Sequence, residues 1–196
     1  MKEVIAYTDG ACSGNQNETN LGGWGCILEY GEHRKELWGG EPDTTNNRME
    51  LTALIEALSA LKERGLHILV WSDSSYLVNC FRSRWYETWQ QNGWKTSQKK
   101  PVENRELWEK LLSLSEGQTI EYFLVKGHLK TNADDAALRK AHQRYIGHNG
   151  PCGFEEFRRI AACNNRADEL ANEYIRRTRK AAAGPKTKDA PTETDE

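Results

Sequence analysis

Long apolar runs are missing. No stretch of the 196 residues approaches the about 18 uninterrupted apolar residues of a membrane helix. The opening Met-Lys-Glu-Val-Ile-Ala-Tyr-Thr-Asp carries acids where a secretory leader has its apolar block, so a cytoplasmic protein is expected. Cysteine is scarce and odd in number. Cys12, Cys26, Cys80, Cys152 and Cys163 are widely spaced, which fits reduced thiols better than a disulfide framework. Internal repeats are absent. Net charge is small, −2 at pH 7, and taken whole it points to no polyanionic partner. At 22.4 kDa the chain suits one compact domain, or one domain plus an appendage, and it can bury a core without disulfides or metal staples.

The charge that is present is unevenly placed. Residues 1–60 hold four Lys/Arg (Lys2, Arg34, Lys35, Arg48) against ten Asp/Glu, whereas 82–110 hold seven Lys/Arg against four Glu and are rich in tryptophan. An acidic lobe beside a basic aromatic segment is compatible with a metal site next to a nucleic-acid grip, and equally with ordinary solvated surface.

Alternation predicts a strand over 2–8, and two more over 24–30 and 34–38 joined by a Gly31-Glu32 turn. Residues 46–63 place Met49, Ala53, Leu54, Ala57, Leu58 and Leu61 at helical spacing, with Thr44 or Thr45 as the cap and Gly65 as the stop. The run 66–72 reads as a strand buried on both faces. Helices over 75–83 and 104–114, a strand over 119–125 and a helix over 164–179 follow. The order β-β-β-α-β-α-α-β-α predicts a mixed sheet with helices packed on it. Residues 1–178 are expected to form the domain, and 179–196, without aromatic or large aliphatic side chains, a disordered tail.

Asp9 ends the first strand and Asp73 ends 66–72; if these strands are parallel neighbours, both carboxylates emerge at one sheet edge. Glu50 lies early in the intervening helix, on its Met49/Ala53 side. Three acids in one place repel unless a cation sits between them, and an all-oxygen set favours Mg²⁺ or Mn²⁺ over zinc. Singly, Asp9 also reads as a turn residue, Glu50 as a surface helix residue and Asp73 as an N-cap; spacing leaves both readings open.

The local sequences go further. Thr8-Asp9-Gly10-Ala11-Cys12, Thr45-Asn46-Asn47-Arg48-Met49-Glu50-Leu51 and Ser72-Asp73-Ser74 resemble, in order, signature blocks of the type 1 ribonuclease H family. So do Gly93-Trp94-Lys95-Thr96, Lys100-Pro101-Val102, Leu107-Trp108, Val125-Lys126-Gly127-His128 and Asn165-Arg166-Ala167-Asp168-Glu169-Leu170-Ala171. The resemblance implies a ribonuclease H-like α/β fold, a mixed five-stranded sheet with helices on both faces. It implies an endonuclease cutting the RNA strand of RNA·DNA hybrids with two divalent metals, leaving 5′-phosphate and 3′-hydroxyl ends. Asp9, Glu50, Asp73 and Asp168 match the metal-binding carboxylates and His128 the family's mobile-loop histidine. Cys12, Asn15 and Asn47 match minor-groove contacts, and Thr45 part of a DNA-phosphate pocket. Trp85, Trp89, Trp94 and Lys95 match the basic protrusion, although core packing needs such rings too. A monomer is expected.

The chain departs from the family at four places. Gln16-Asn17-Glu18-Thr19-Asn20 replaces a Pro/Gly-rich turn, and Ser75 replaces a frequent glutamine. Glu87-Thr88-Trp89-Gln90-Gln91-Asn92 stands where bacterial relatives are lysine-rich. Above all, His128 and Asp168 are 40 positions apart, much further than in the family. The insert, 129–163, reads as a helix over 134–146, a turn over 147–153, and an N-terminal extension of the last helix. A lid, extra hybrid contacts through Arg139, Lys140, Arg144, Arg158 and Arg159, and plain surface packing all remain open for it. Its His142, His148 and Cys152, with Cys163, have the spacing of no familiar zinc site. The competing function is a hybrid-binding module that does not cut; retention of four acids beside a phosphate backbone argues against it.

Overall fold

The computed structural model describes residues 2–14, 20–129 and 135–183. β1 (Glu3–Ser13), β2 (Leu21–Tyr30) and β3 (His33–Pro42) form an antiparallel meander. β4 (His67–Ser72) and β5 (Thr119–Leu124) add in parallel on the far side of β1, giving the order β3-β2-β1-β4-β5. This is the expected mixed five-stranded sheet, and helices cover both faces.

One face carries α1 (Asn46–Ser59), α2 (Ser75–Arg82), α3 (Trp85–Gln91) and α4 (Arg105–Ser115). Thr45 caps α1, its side chain accepting from the Arg48 N–H at 3.3 Å. Thr44 is buried instead, its hydroxyl donating to Glu41 at 2.9 Å. Trp108 is fully buried on this face, and its indole N–H donates to Tyr76 Oη at 3.0 Å, so the large ring brings no unpaired donor inside.

The other face carries α5 (Asp135–Asn149) and α6 (Phe154–Ala182). The insert is therefore built into the fold. Leu138, Ala141 and Tyr145 of α5 share a second core with Trp71, Leu129 and Phe157, and the Trp71 indole donates to Tyr145 Oη at 2.8 Å. At the end of α5, Asn149 accepts from the Leu124 N–H at 3.0 Å and donates to the Leu124 carbonyl at 2.8 Å, while Arg82 Nε donates to Tyr122 O at 2.8 Å. These bonds occupy the outer edge of β5, which otherwise presents unpaired backbone groups to other chains. Of the basic residues named for the insert, Arg139 pairs with Asp135, Arg158 with Glu155 and Arg159 with Glu29. His142 Nε2 lies 2.7 Å from the Cys152 carbonyl.

Several boundaries differ from the sequence reading. β1 extends to Ser13, β2 starts at Leu21 and β3 runs from His33 to Pro42. Glycines at 22, 23, 39 and 40 lower strand propensity, but Gly22, Gly23 and Gly40 let α1 and α6 lie close on the sheet, and Gly39 makes room for the Trp24 ring. α1 stops at Ser59 and Gly65 lies beyond it in a turn (φ 71°). α3 is unforeseen: the left-handed Arg84 (φ 54°) breaks the chain after α2, and seven residues are too few for a periodic signal. α6 is one 29-residue helix that starts at Phe154 and continues to Ala182. Most of the expected tail, 184–196, lies outside the described residues. No helix among the described residues is long and apolar enough to cross a membrane.

Candidate active site

β1 and β4 pair in parallel from Glu3↔His67 to Thr8↔Ser72. The next residue on each strand, Asp9 and Asp73, therefore leaves the ladder at the same end of the sheet. Asp9 does not end its strand, as the sequence led us to expect; it follows the last parallel pair, Thr8↔Ser72, and β1 runs on beside β2 alone. Glu50 arrives from the first turns of α1. A Cβ at Gly10 would stand 2.3 Å from the Glu50 backbone nitrogen, so only glycine lets α1 come this close to β1. One carboxylate oxygen from each of Asp9, Glu50 and Asp73 lies within 4.8 Å of the others.

Asp168 comes from α6, which rests on two glycines of β2. A Cβ at Gly23 would meet the Ala171 carbonyl at 1.9 Å, and one at Gly25 the Ala167 carbonyl at 2.3 Å. Asp168 lies between those two contacts in sequence. With Asp9, Glu50, Asp73, Cys12, Asn46, His128 and Asn172 it lines a cleft of about 260 Å³. No residue of α5 lines this cleft.

The acids resist ionisation together. Asp9 and Glu50 are each 4 % exposed. Burial first, then the charges of Asp73 and Asp168, push Asp9 from its ordinary 3.8 up to about 9. Glu50 is raised well above the usual carboxylate range by burial and then by Asp9 and Asp73. Asp73 is raised by burial, with His128 opposing and Asp168 adding. Glu50 Oε2 and Asp73 Oδ1 are buried and have no hydrogen-bond partner among the described residues. Crowded carboxylates with orphaned oxygens match a hard divalent cation, whose charge and oxygen preference answer both deficits.

His128 stands at the mouth of the cleft with its side chain 77 % exposed, Nδ1 3.4 Å from Asp168 Oδ2. Cys12 lines the cleft, its thiol donating to Asn20 Oδ1 at 3.1 Å. Thr45 and Asn47 are exposed at the start of α1, outside the cleft, and Asn15 lies outside the described residues. The tryptophans divide. Trp85 is exposed, Trp94 is buried in the first core, and Trp89 lies between, 6.5 and 6.3 Å from their rings. Lys95 is exposed, and its backbone N–H donates to Asn92 Oδ1 at 2.9 Å.

Two cleft residues escaped the sequence reading. Asn46 donates to Glu50 Oε1 at 3.4 Å, and Asn172 donates to Asp168 Oδ1 at 3.0 Å. Each stands four positions from its acid on the same helix, and that spacing was the available signal.

Known proteins resemble this chain in sequence and in fold. The family described as RNase H matches residues 1–176. A ribonuclease H of Symbiobacterium thermophilum is 56% identical over 128 residues, 65% of this chain and 84% of its own length. One from Chlorobium luteolum is 50% identical over 147 residues, 74% of this chain and 98% of its own. Among solved structures, LC9-RNase H1, described as a type 1 RNase H with the type 2 active-site motif, is similar at 31% identity. It aligns with a TM-score of 0.58 over 83% of this chain and 85% of its own.

Proposed function

The chain belongs to the ribonuclease H family, and on that premise we propose a metal-dependent endonuclease whose reacting groups are the carboxylates of this cleft. It hydrolyses the RNA strand of RNA·DNA hybrids. Asp9, Glu50, Asp73 and Asp168 hold two Mg²⁺ ions, with Mn²⁺ as a substitute. When bound, the metal pair activates water, orients the scissile phosphate and stabilises the leaving 3′-oxygen, giving 5′-phosphate and 3′-hydroxyl ends.

The chain's own residues do the rest. Asp9 and Glu50, both raised by burial and by their neighbours, give up protons as the metal enters, so metal affinity rises with pH. Glu50 also senses the ribose 2′-hydroxyl, the group that marks RNA. His128, exposed at the mouth, helps bring water in and let product out. Thr45 offers the N-terminus of α1 to a DNA phosphate, while Cys12, Asn15 and Asn47 read the minor groove. Trp85 and Lys95 meet sugar and phosphate, with Trp89 and Trp94 supporting them from the core side. The protein acts as a monomer, and in the cytoplasm, the compartment being the part that its five free cysteines support.

The observation that carries the reading is the meeting of three carboxylates within 4.8 Å, with two of their oxygens buried and unpartnered among the described residues. A module that only bound hybrids would gain nothing from this repulsion. Calorimetric titration of Mn²⁺ into wild type and Asp73→Asn, beside hybrid cleavage, tests it. Wild type binds Mn²⁺ and cleaves, and Asp73→Asn loses both while still binding hybrid. Unchanged Mn²⁺ binding in Asp73→Asn contradicts the assignment.

A further inference from the structure

The sequence separates His128 from Asp168 by 40 positions, yet the two side chains meet. A short connection would hold the histidine loop to α6 by chain length alone, and here the whole of α5 intervenes. Something other than the backbone must fix the loop. Three consecutive residues show what does. Gly127 packs against Asp73, where a Cβ would stand 1.9 Å from Oδ2. His128 faces Asp168. The carbonyl of Leu129 accepts a hydrogen bond from Asn165 Nδ2 at 2.6 Å.

Asn165 is placed to act through that bond. It lies one turn before Asp168 on α6, on the same side of the helix, so the bond references the loop to the turn that carries the acid. A carbonyl only accepts, so the amide nitrogen must be the group facing it. Asn165 is half-buried, and its Oδ1 is buried and without a partner among the described residues, so the bond to Leu129 is the side chain's polar contact there. The loop also needs a restraint. His128 sits at φ 51°, a left-handed conformation that a residue with a Cβ leaves unless its surroundings hold it. Below it, Leu129 is buried in the core that α5 builds with Leu138 and Tyr145. The insert and Asn165 thus grip the loop from two sides.

We propose that Asn165 is a positioning residue that holds His128 at Asp168 through the Leu129 carbonyl, replacing the tether that the 129–163 insert removes. The proposal rests on the reading of His128 as a participant in cleavage. The test is a double-mutant cycle on the full chain with Asn165→Asp and His128→Ala, read as steady-state cleavage of hybrid, which includes product release. Asn165→Asp keeps the shape but faces the Leu129 carbonyl with oxygen alone. It is expected to lower kcat about tenfold with KM within about twofold. In the His128→Ala background the same substitution is expected to change kcat by less than about twofold. The His128 Cε1–H resonance in NMR reads the position of the ring independently of catalysis, and it is expected to shift or broaden in Asn165→Asp. The thermal midpoint of each variant confirms folding, and Asn165→Ala repeats the cycle if Asn165→Asp does not fold. An unmoved resonance, or an equal loss of kcat in both backgrounds, overturns the proposal. If His128→Ala cleaves like wild type while the resonance moves in Asn165→Asp, the role of His128 fails and the positional bond stands.

Discussion

His128 Nδ1 lies 3.4 Å from Asp168 Oδ2 although α5 and half of α6 separate the two residues in sequence. The insert therefore changes the route of the chain without displacing the cleft. It docks on the β4–β5 side of the sheet, and the acids stay where strand pairing and close helix contacts put them.

The first prediction concerns pH and metal. In the folded, metal-free protein Asp9 keeps its proton up to about 9, whereas the unfolded carboxyl loses it near 3.8. The native state binds the extra proton, so this contribution to stability is full below pH 3.8 and is lost as pH rises toward 9. Glu50 acts in the same direction. Without metal, the Tm of Asp9→Asn exceeds that of wild type by a margin that grows from acid to neutral pH. Saturating Mg²⁺ narrows the gap because it binds the native wild type. A Tm difference constant across pH contradicts the account.

Gly25→Ala is expected to destabilise the fold by about 1–3 kcal/mol, the usual range for overpacking. The new methyl group would meet the Ala167 carbonyl, the Ala171 nitrogen and Leu170 Cβ, all fixed to the α6 backbone. Because that helix carries Asp168, cleavage falls even at temperatures where the variant is folded. Urea unfolding together with cleavage at low temperature checks both parts.

Asn149→Ala separates fold from site. It leaves the Leu124 N–H and carbonyl without the amide that now serves both, at a cost of about 1–3 kcal/mol. Asn149 lines no part of the acidic cleft, so cleavage by the folded variant stays near wild type. Unchanged stability in urea would mean that water replaces the amide at this edge.

The protrusion carries few free cations before Gly93, since Arg84 is paired with Glu87 at 2.9 Å. Lys95→Ala is expected to weaken hybrid affinity and to lower the slope of log K against log salt by about one, the loss of one phosphate contact. A salt titration reads the slope directly, and an unchanged slope removes Lys95 from the contact set.

The site was more legible in sequence than the scaffold around it. Asp9, Glu50, Asp73 and Asp168 sit in blocks whose identity is local, and parallel pairing of β1 and β4 turns two distant aspartates into neighbours. What the sequence hid depends on packing. Trp94 and Trp85 are the same residue in similar surroundings of charge, yet one is core and one is surface, because Trp94 lies at a left-handed turn (φ 61°) folded back on Trp89. Gly22, Gly23, Gly25 and Gly40 carry no pattern of their own in the sequence, yet they are places where α1 or α6 touches the sheet. The insert reads as helical, although α5 continues to Asn149 through the start of the expected turn, and its position follows from contacts that no local pattern carries, Trp71 with Tyr145 across 74 residues and Leu124 with Asn149 across 25.

The most direct test is cleavage of an RNA·DNA hybrid labelled on each strand, in Mg²⁺, with duplex DNA as competitor and Asp9→Asn as control. The account predicts that the RNA strand alone is cut, leaving 5′-phosphate ends, that duplex DNA stays intact, and that Asp9→Asn binds the hybrid without cutting it. Tight binding of the hybrid by wild type with no cleavage in Mg²⁺ or Mn²⁺ would contradict it.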